Sequence, residues 1–411
     1  TIANNINLTA GTLNFAAGGS YTVVANKTIT TSAGTNLRFA GESGSLVTLL
    51  SNTPGTRWNI ADSGNVYANY VDVTDSNNSS GTIYALNTTQ DNCVGWDTTS
   101  TAKTWDGGAS TTVWNDGNNW NPDGAPDPND TVTLDTANTI TTNADINFGS
   151  LVLGGSNATT LQFTNNIGTG GSITVTGTGT LEQSNAVTQT ILSDVVVQSG
   201  GTITHTANTT TEQYKLMLAV QGDIDLQSGG SINTDGKGYE KRSGPGASTG
   251  GQMGATYGGT GFLNTKNTYG SFENPTDLGS GGYNINESSG GGAAIIAAKG
   301  SFNVSGSVTS DGMGYLCCSY VGYGSGGSIN ISTKELTGNG IVRAKGGQMT
   351  DPILGGYGGG GGRISFAGVE KDSYSGIINA NGSDAEDSRA GTIYLSPDKR
   401  ANWTISNGQI Y

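Results

Sequence analysis

The sequence predicts an all-β chain, a parallel β-helix (β-solenoid) with Gly-rich loop excursions, arranged in two consecutive blocks. Three observations predict it. Short alternating segments follow one another from the first residue, a two-part marker recurs at a fixed interval in the last third, and the composition is polar with little charge.

The alternation begins at once. "NINLT", "TLNF", "SYTVV", "KTITT", "NLRFAG", "LVTLL", "RWNIA" and "VYANYVDVTD" place apolar residues at every second position between Gly, Asn or Ser. A period of two lines one strand face. No window carries the i, i+3, i+4, i+7 spacing of a long amphipathic helix, so strands dominate.

The repeat lies between 290 and 382. "GGGAAIIAA", "SGGSINIS" and "GGGRISFA" place Gly292, Gly327 and Gly362 at equal intervals of 35 residues. After each comes a second marker: "GSVTSDG" at 306–312, "GIVRAKG" at 340–346 and "GIINANG" at 376–382, with an earlier copy, "GSINTDG", at 230–236. Between marker and next strand the chain makes excursions of very unequal length, 237–291, 313–326 and 347–361. A constant strand pair with variable loops is the pattern of a solenoid, in which each unit buries its apolar face only against its neighbours. The coils are expected to pile along one axis, roughly 4.8 Å apart.

Within this pattern "GGYGGGGGRISF" (355–366) leads into a strand. A phosphate cradle needs a helix amino terminus after the glycines, and a free linker would not keep phase with strands. The expectation is that these glycines supply positive φ and close backbone approach at corners and stacked excursions.

Composition bounds the partners. Of 411 residues 68 are Gly, only 12% are charged, and the formal net charge is −14 with no basic run, so neither nucleic acid nor an anionic membrane surface is an expected partner. The longest apolar stretch, "AAIIAA" at 293–298, is far too short for membrane insertion as a helix.

A different texture lies at 103–134, where Trp105, Trp114 and Trp120 fall close together. It reads as a boundary: residues 1–100 form a first block closing near Trp96, 101–135 a Trp/Pro-rich segment, and 136–411 a second block with the long excursion 237–291. The tryptophans either pack or present a sugar-stacking row, and packing is the commoner use of large aromatics.

"YVDVTDSNNSSGTIYALNTTQDNCVGW" resembles the closing segment of parallel β-helix blocks in large bacterial surface proteins. "TWDGGASTTVWNDGNNWNPDGAPDPNDTVTL" is similar to the Trp-Asn-Trp opening of β-helical segments in autotransporter-like proteins, and "YGSFENPTDLGSGG" with "GGGGGRISF" looks like a Gly-rich repeat of secreted bacterial proteins. The resemblance implies architecture and an extracellular, cell-surface location. It implies no activity.

Candidate chemistry is sparse. "NTDG" at 233–236 matches one element of polygalacturonase-type hydrolases, but the single His205 precedes it and Arg363-Ile364 is followed by Ser365. A hydrolase needs two carboxylates across the scissile bond, so Asp235 reads as a corner residue and no catalytic residues are expected. His205 offers no nucleophile-elbow context. Paired carboxylates, Asp127 with Asp130 and Asp223 with Asp225, are candidates for a structural calcium, as are Asp72 with Asp75 and the group Asp384, Glu386 and Asp387. Asp223 and Asp225 share a strand face that is outward if Ile224 points in. No other cofactor is expected.

Three cysteines, Cys93, Cys317 and Cys318, leave an odd thiol or an intermolecular bridge. Strand-like ends without caps suggest that further chain or another copy covers them. The expected role is therefore an extracellular structural protein, a β-helix subunit of a surface filament or sheath assembling head to tail as a homopolymer. Cys93 would bridge to Cys317 or Cys318 of a neighbour, and Tyr239, Tyr257, Tyr269 and Tyr283 would make lateral contacts. The alternatives are a carbohydrate- or surface-binding adhesin segment touching other cell-surface components, and then a polysaccharide lyase or hydrolase.

Overall fold

The structure is a computed structural model and describes residues 1–167, 171–250, 253–283, 288–314, 321–348, 357–383 and 388–395, together with the backbone of 404–405. The chain is all-β. Its one helical element among the described residues is the 3-10 turn Gly117–Asn119.

Residues 1–97 visit three sheets in strict rotation. Ile6–Leu8, Thr12–Ala16 and Ser20–Val23 each open one sheet; Thr28–Thr31, Asn36–Ala40 and Val47–Ser51 pair with them in the same order. Trp58–Ala61, Asn65–Asn69 and Val71–Thr74 follow, then Ser76–Asn78, Ile83–Leu86 and Thr89–Asp91. All these pairings are parallel and like residues meet: Ile6 with Ile29, Leu13 with Leu37, Phe15 with Phe39. The inward rows are fully buried at Ile29, Leu37, Phe39 and Leu49. Each such side chain stabilises the stack by roughly 1.5–3 kcal/mol.

Polar rows explain the abundance of Asn. Asn65 Nδ2 donates to Asn36 Oδ1 (3.1 Å), Asn77 Nδ2 to Asn59 Oδ1 (3.0 Å) and Asn87 Nδ2 to Asn69 Oδ1 (3.0 Å). An amide both donates and accepts, so asparagines on successive layers satisfy one another.

Residues from 102 onward build a second stack. A thirteen-stranded sheet starts at Trp120–Asn121 and Ala102–Trp105 and runs through Thr131–Leu134, Ser150–Leu153 and Ser172–Val175 to Arg363–Asp372 and Thr392–Leu395. A nine-stranded sheet runs beside it from Thr139–Thr141 to Thr404–Ile405. Only the first pairing in this stack, Trp105 against Trp120, is antiparallel among its named strands. The Trp-rich segment therefore supplies the first layers of the second stack. Trp105, Trp114 and Trp120 join its core, while Trp96 belongs to the separate core of the first.

The sequence repeat is a register. Ala293 pairs with Ser328 and Ser328 with Arg363, so the preceding Gly292, Gly327 and Gly362 lie one above another. A Cβ on Gly327 would stand 2.0 Å from Gly292 O, and one on Gly362 2.2 Å from Gly327 O. The second marker stacks likewise through Ser231, Ser307, Ile341 and Ile377.

The excursions correct one expectation. None of Gly358 to Gly362 has a positive φ. Their amides point in rotation to three neighbours: Gly359 to Gly347 O, Gly360 to Ala255 O, Gly361 to Arg389 O, and Gly362 back to the first segment at Ala344 O. The same rotation occurs at Gly324, Ser325, Gly326 and Gly327, which donate to Met313, Ser280, Gly360 and Ser310. This is the three-residue period of a polyproline-II-like helix, here hydrogen-bonded to its neighbours. Glycine is required because a Cβ on Gly359, Gly360 or Gly361 would stand 1.9, 2.0 or 1.9 Å from a neighbouring carbonyl oxygen. Close approach, and not φ, selects it.

A second correction concerns the axis. Leu86, late in the first stack, reaches Gly149, early in the second. Tyr67 Oη lies 3.5 Å from Ser193 Oγ, and Arg38 Nε donates to Leu192 O at 2.9 Å. Asn14 and Ala16, earlier still, share a groove with Gly222 and Asp223. As one stack is followed backward the other runs forward, so the two lie side by side with opposite sense instead of piling along one axis.

Candidate functional site

Three grooves lie along the seam between the stacks. One of them, 520 Å³, is lined by Arg38, Glu42, Tyr67 and Tyr70 from the first stack and Ser193, Asp194 and Asp223 from the second. Arg38 lies over the Tyr67 ring at 5.3 Å while its Nε bonds Leu192 O, which fixes the guanidinium across the seam. Asn69 Nδ2 donates to Tyr67 Oη at 3.1 Å. Tyr70 holds a φ of +53°, uncommon for a bulky side chain, where its carbonyl oxygen crowds Gly41.

Further along, a 220 Å³ cavity is lined by Asp62, Asn65, Tyr84, Pro128, Asn129 and Asn147 among others. Burial raises the Tyr84 phenol above its ordinary pKa, and the nearby carboxylates of Asp127, Asp97 and Asp130 raise it further.

The proposed calcium residues come to this seam in part. Asp223 lines the larger groove, but its Oδ1 already accepts from Ser301 N (2.6 Å) and Ser301 Oγ (3.1 Å). Asp225 faces outward beside the buried Ile224, with Oδ1 taken by Asn303 Nδ2 and Oδ2 by Gln227 Nε2. Asp130 is buried, accepting from Thr101 N at Oδ1 and from Asp127 N at Oδ2, so this pair forms a turn. Asp75 likewise bonds Gly55 N and Asn92 Nδ2. Among the described residues no three His, Cys, Asp or Glu side chains converge. Asp384, Glu386 and Asp387 lie outside the described residues.

Asp235 and Asp311 occupy successive copies of the second marker. Asp235 Oδ1 accepts from Asp311 N at 2.6 Å and its Oδ2 from Thr309 Oγ1 at 3.0 Å. Asp311 Oδ1 accepts from Lys345 N at 2.7 Å and Oδ2 pairs with Arg343 Nε at 2.6 Å. Burial raises both acids, and the Asp235 charge pushes Asp311 further, up to about 7. Every carboxylate oxygen of the pair has a protein partner, as a corner residue requires.

His205 is fully buried. Ala293 N donates to its Nε2 at 3.2 Å, so Nδ1 carries the proton and donates to Thr206 O at 2.8 Å. Burial lowers its pKa to about 4. Gly292 packs on the ring: a Cβ there would stand 2.2 Å from Nε2. The imidazole is a neutral structural group.

The tryptophans are enclosed. Trp114 and Trp120 are 1% and 0% exposed, edge to face at 4.8 Å, and Trp120 Nε1 donates to Trp114 O. Their rings are packed into the core, the commoner of the two uses expected for this row, and offer no surface to a sugar. Of the excursion tyrosines Tyr257 turns inward, and Tyr269 and Tyr283 are half-buried. Tyr257 is fully buried with its Oη 2.6 Å from Ser328 Oγ, Tyr269 Oη donates to Leu278 O at 2.6 Å, and Arg242 covers the Tyr283 ring at 4.0 Å. Cys93 is a free, half-buried thiol whose pKa is raised by burial, while Cys317 and Cys318 lie outside the described residues.

Sequence reasoning missed Arg38, Tyr67, Tyr70 and Asp62, because the seam joins residues far apart in the chain, such as Arg38 and Leu192, 154 positions apart. One signal was present: Asn129 sits between the two acids Asp127 and Asp130. Comparison with protein-family models, with curated proteins and with solved structures found no match to this chain.

Proposed function

We propose that the chain is a pair of parallel β-helices serving as a rigid structural segment of an extracellular surface protein, assembling through its ends into a filament or sheath. The observation that supports this reading is the half-buried apolar layer of the first coil. Ile6, Leu13 and Tyr21 are half-buried, whereas the residues stacked on them, Ile29, Leu37 and Leu49, are fully buried. The outer edges of Ile6–Leu8 and Thr12–Ala16 pair with no strand among the described residues. Unpaired edges over apolar side chains are a template for further strands. A second copy stacking there continues the parallel ladders by a contact that need not close. The glycine lattice serves the same role, because amides bonded in three directions tie the described parts of the excursions to one another.

Electron microscopy of the concentrated protein tests the proposal, with Leu13→Lys as the comparison. Fibres that disappear in a folded Leu13→Lys variant are expected. Short isolated rods at every concentration would contradict assembly through this layer.

A further inference from the structure

We infer that the 520 Å³ groove between the stacks is a binding site for a neutral oligosaccharide. Its volume falls within the range of small-molecule sites, about 300–1,000 Å³. Its walls carry polar groups that the fold leaves unused. Asn14, Glu42 and Ser43 line it in exposed positions, and their side chains make no hydrogen bond among the described residues. Arg38 spends only Nε, on Leu192 O, and Asp194 only Oδ1, on the N–H of Asp223 at 2.8 Å. The Arg38 Nη atoms, Asp194 Oδ2 and Tyr70 Oη have no partner among the described residues.

This mixture suits a polyhydroxyl ligand. Carboxylates only accept, a guanidinium only donates, and a sugar hydroxyl does both, so acceptors and donors are needed together. Arg38 supplies donors, Glu42 and Asp194 supply acceptors, and Asn14 and Ser43 supply either. Two of these groups are fixed before binding: Arg38 by Leu192 O and the Tyr67 ring, Asp194 by the Asp223 amide, which lowers the ordering cost. Ala16 and Ala40, in register on adjacent strands, give a small apolar strip for the C–H face of a sugar ring, beside the amphipathic Tyr70.

Other ligand classes fit less well. Glu42, Asp194 and Asp223 outnumber Arg38, which disfavours an anion. No Leu, Ile, Val, Met or Phe lines the groove, which disfavours an apolar ligand. Among the described residues no metal-holding group of three side chains forms. None of Ile6, Leu13 and Tyr21 lines the groove, so the site is independent of assembly through the end layer.

Calorimetric titration with cellotetraose, chitotetraose and maltotetraose tests this, with tetragalacturonate as the acidic comparison. Saturable one-to-one binding of at least one neutral sugar is expected, and about tenfold or more weaker binding of the acidic one. Glu42→Ala and Asp194→Asn are each expected to weaken binding about tenfold or more, the worth of a hydrogen bond to a charged group. Asp194→Asn keeps an oxygen for the Asp223 amide. Should it fail to fold, Glu42→Ala, at an exposed position, decides alone. No binding of any neutral sugar, tighter binding of tetragalacturonate, or affinity unchanged in the folded variants overturns the proposal.

Discussion

The backbone N–H of Asp311 donates to Oδ1 of Asp235 at 2.6 Å, which sets one half-buried carboxyl over another in successive layers of the second stack. Asp311 is protonated in the folded chain over a range where the unfolded chain, with an ordinary value of 3.8, has already lost that proton. Its contribution to stability is complete below pH 3.8 and is lost as pH rises through about 7. His205 acts in the opposite sense: its contribution is complete above 6.5 and is lost as pH falls through about 4. The two slopes oppose each other across the same window. Urea midpoints between pH 4 and 7 should therefore fall with pH in His205→Gln and rise with pH in Asp311→Asn. Parallel profiles in the two variants would contradict both assignments.

Glycine substitutions separate crowding from conformational freedom. Gly327→Ala forces a Cβ against Gly292 O in a backbone-to-backbone contact that cannot rotate away. A loss of ~3 kcal/mol or more is expected. Gly81 has open space around its Cβ position and no positive φ, so Gly81→Ala should raise stability by about 0.4–1 kcal/mol through the unfolded state. Thermal melts of the two variants check both signs.

Trp120 is fully buried between Trp114 at 4.8 Å and Trp105 at 5.2 Å. Trp120→Ala should cost about 3–5 kcal/mol. Any glycan affinity measured for the wild type should persist in folded Trp120→Ala, since the ring faces protein. Affinity that vanishes while the fold survives would restore the sugar-stacking role.

Cys93 Sγ donates to Val73 O and Asp91 O, and burial raises its pKa, so little thiolate forms at neutral pH. Its modification by a disulfide reagent at pH 8 should be slower than that of a free model thiol and should accelerate to the same rate in denaturant. Immediate reaction in the native protein would contradict this placement.

Much of the architecture was legible because it is local. Ile29, Leu37 and Ile232 announce their burial by alternation, and Gly292, Gly327 and Gly362 announce their register by equal spacing. The role of Asp235 as a corner residue followed from its recurrence in the marker. The glycine lattice was half legible: spacing revealed the phase of Gly358 to Gly362, but their amides bond segments such as Ala255 and Arg389 that no repeat marks. The seam was not legible at all. Whether two stacks pile or fold back is decided by contacts such as Arg38 with Leu192, and neither residue carries a periodic signal.

The arrangement of the stacks is tested most directly by one distance. Spin labels at Ser43 and Asp194, both lining the seam groove, with the three cysteines replaced by serine, report the separation of the stacks in solution. Side-by-side stacks of opposite sense place the labels within about 20 Å, whereas layers continuing along one axis at ~4.8 Å each would hold them ~30 Å apart or more. A distribution centred below 20 Å is the expected result, and one centred beyond 30 Å would contradict the fold-back on which the seam depends.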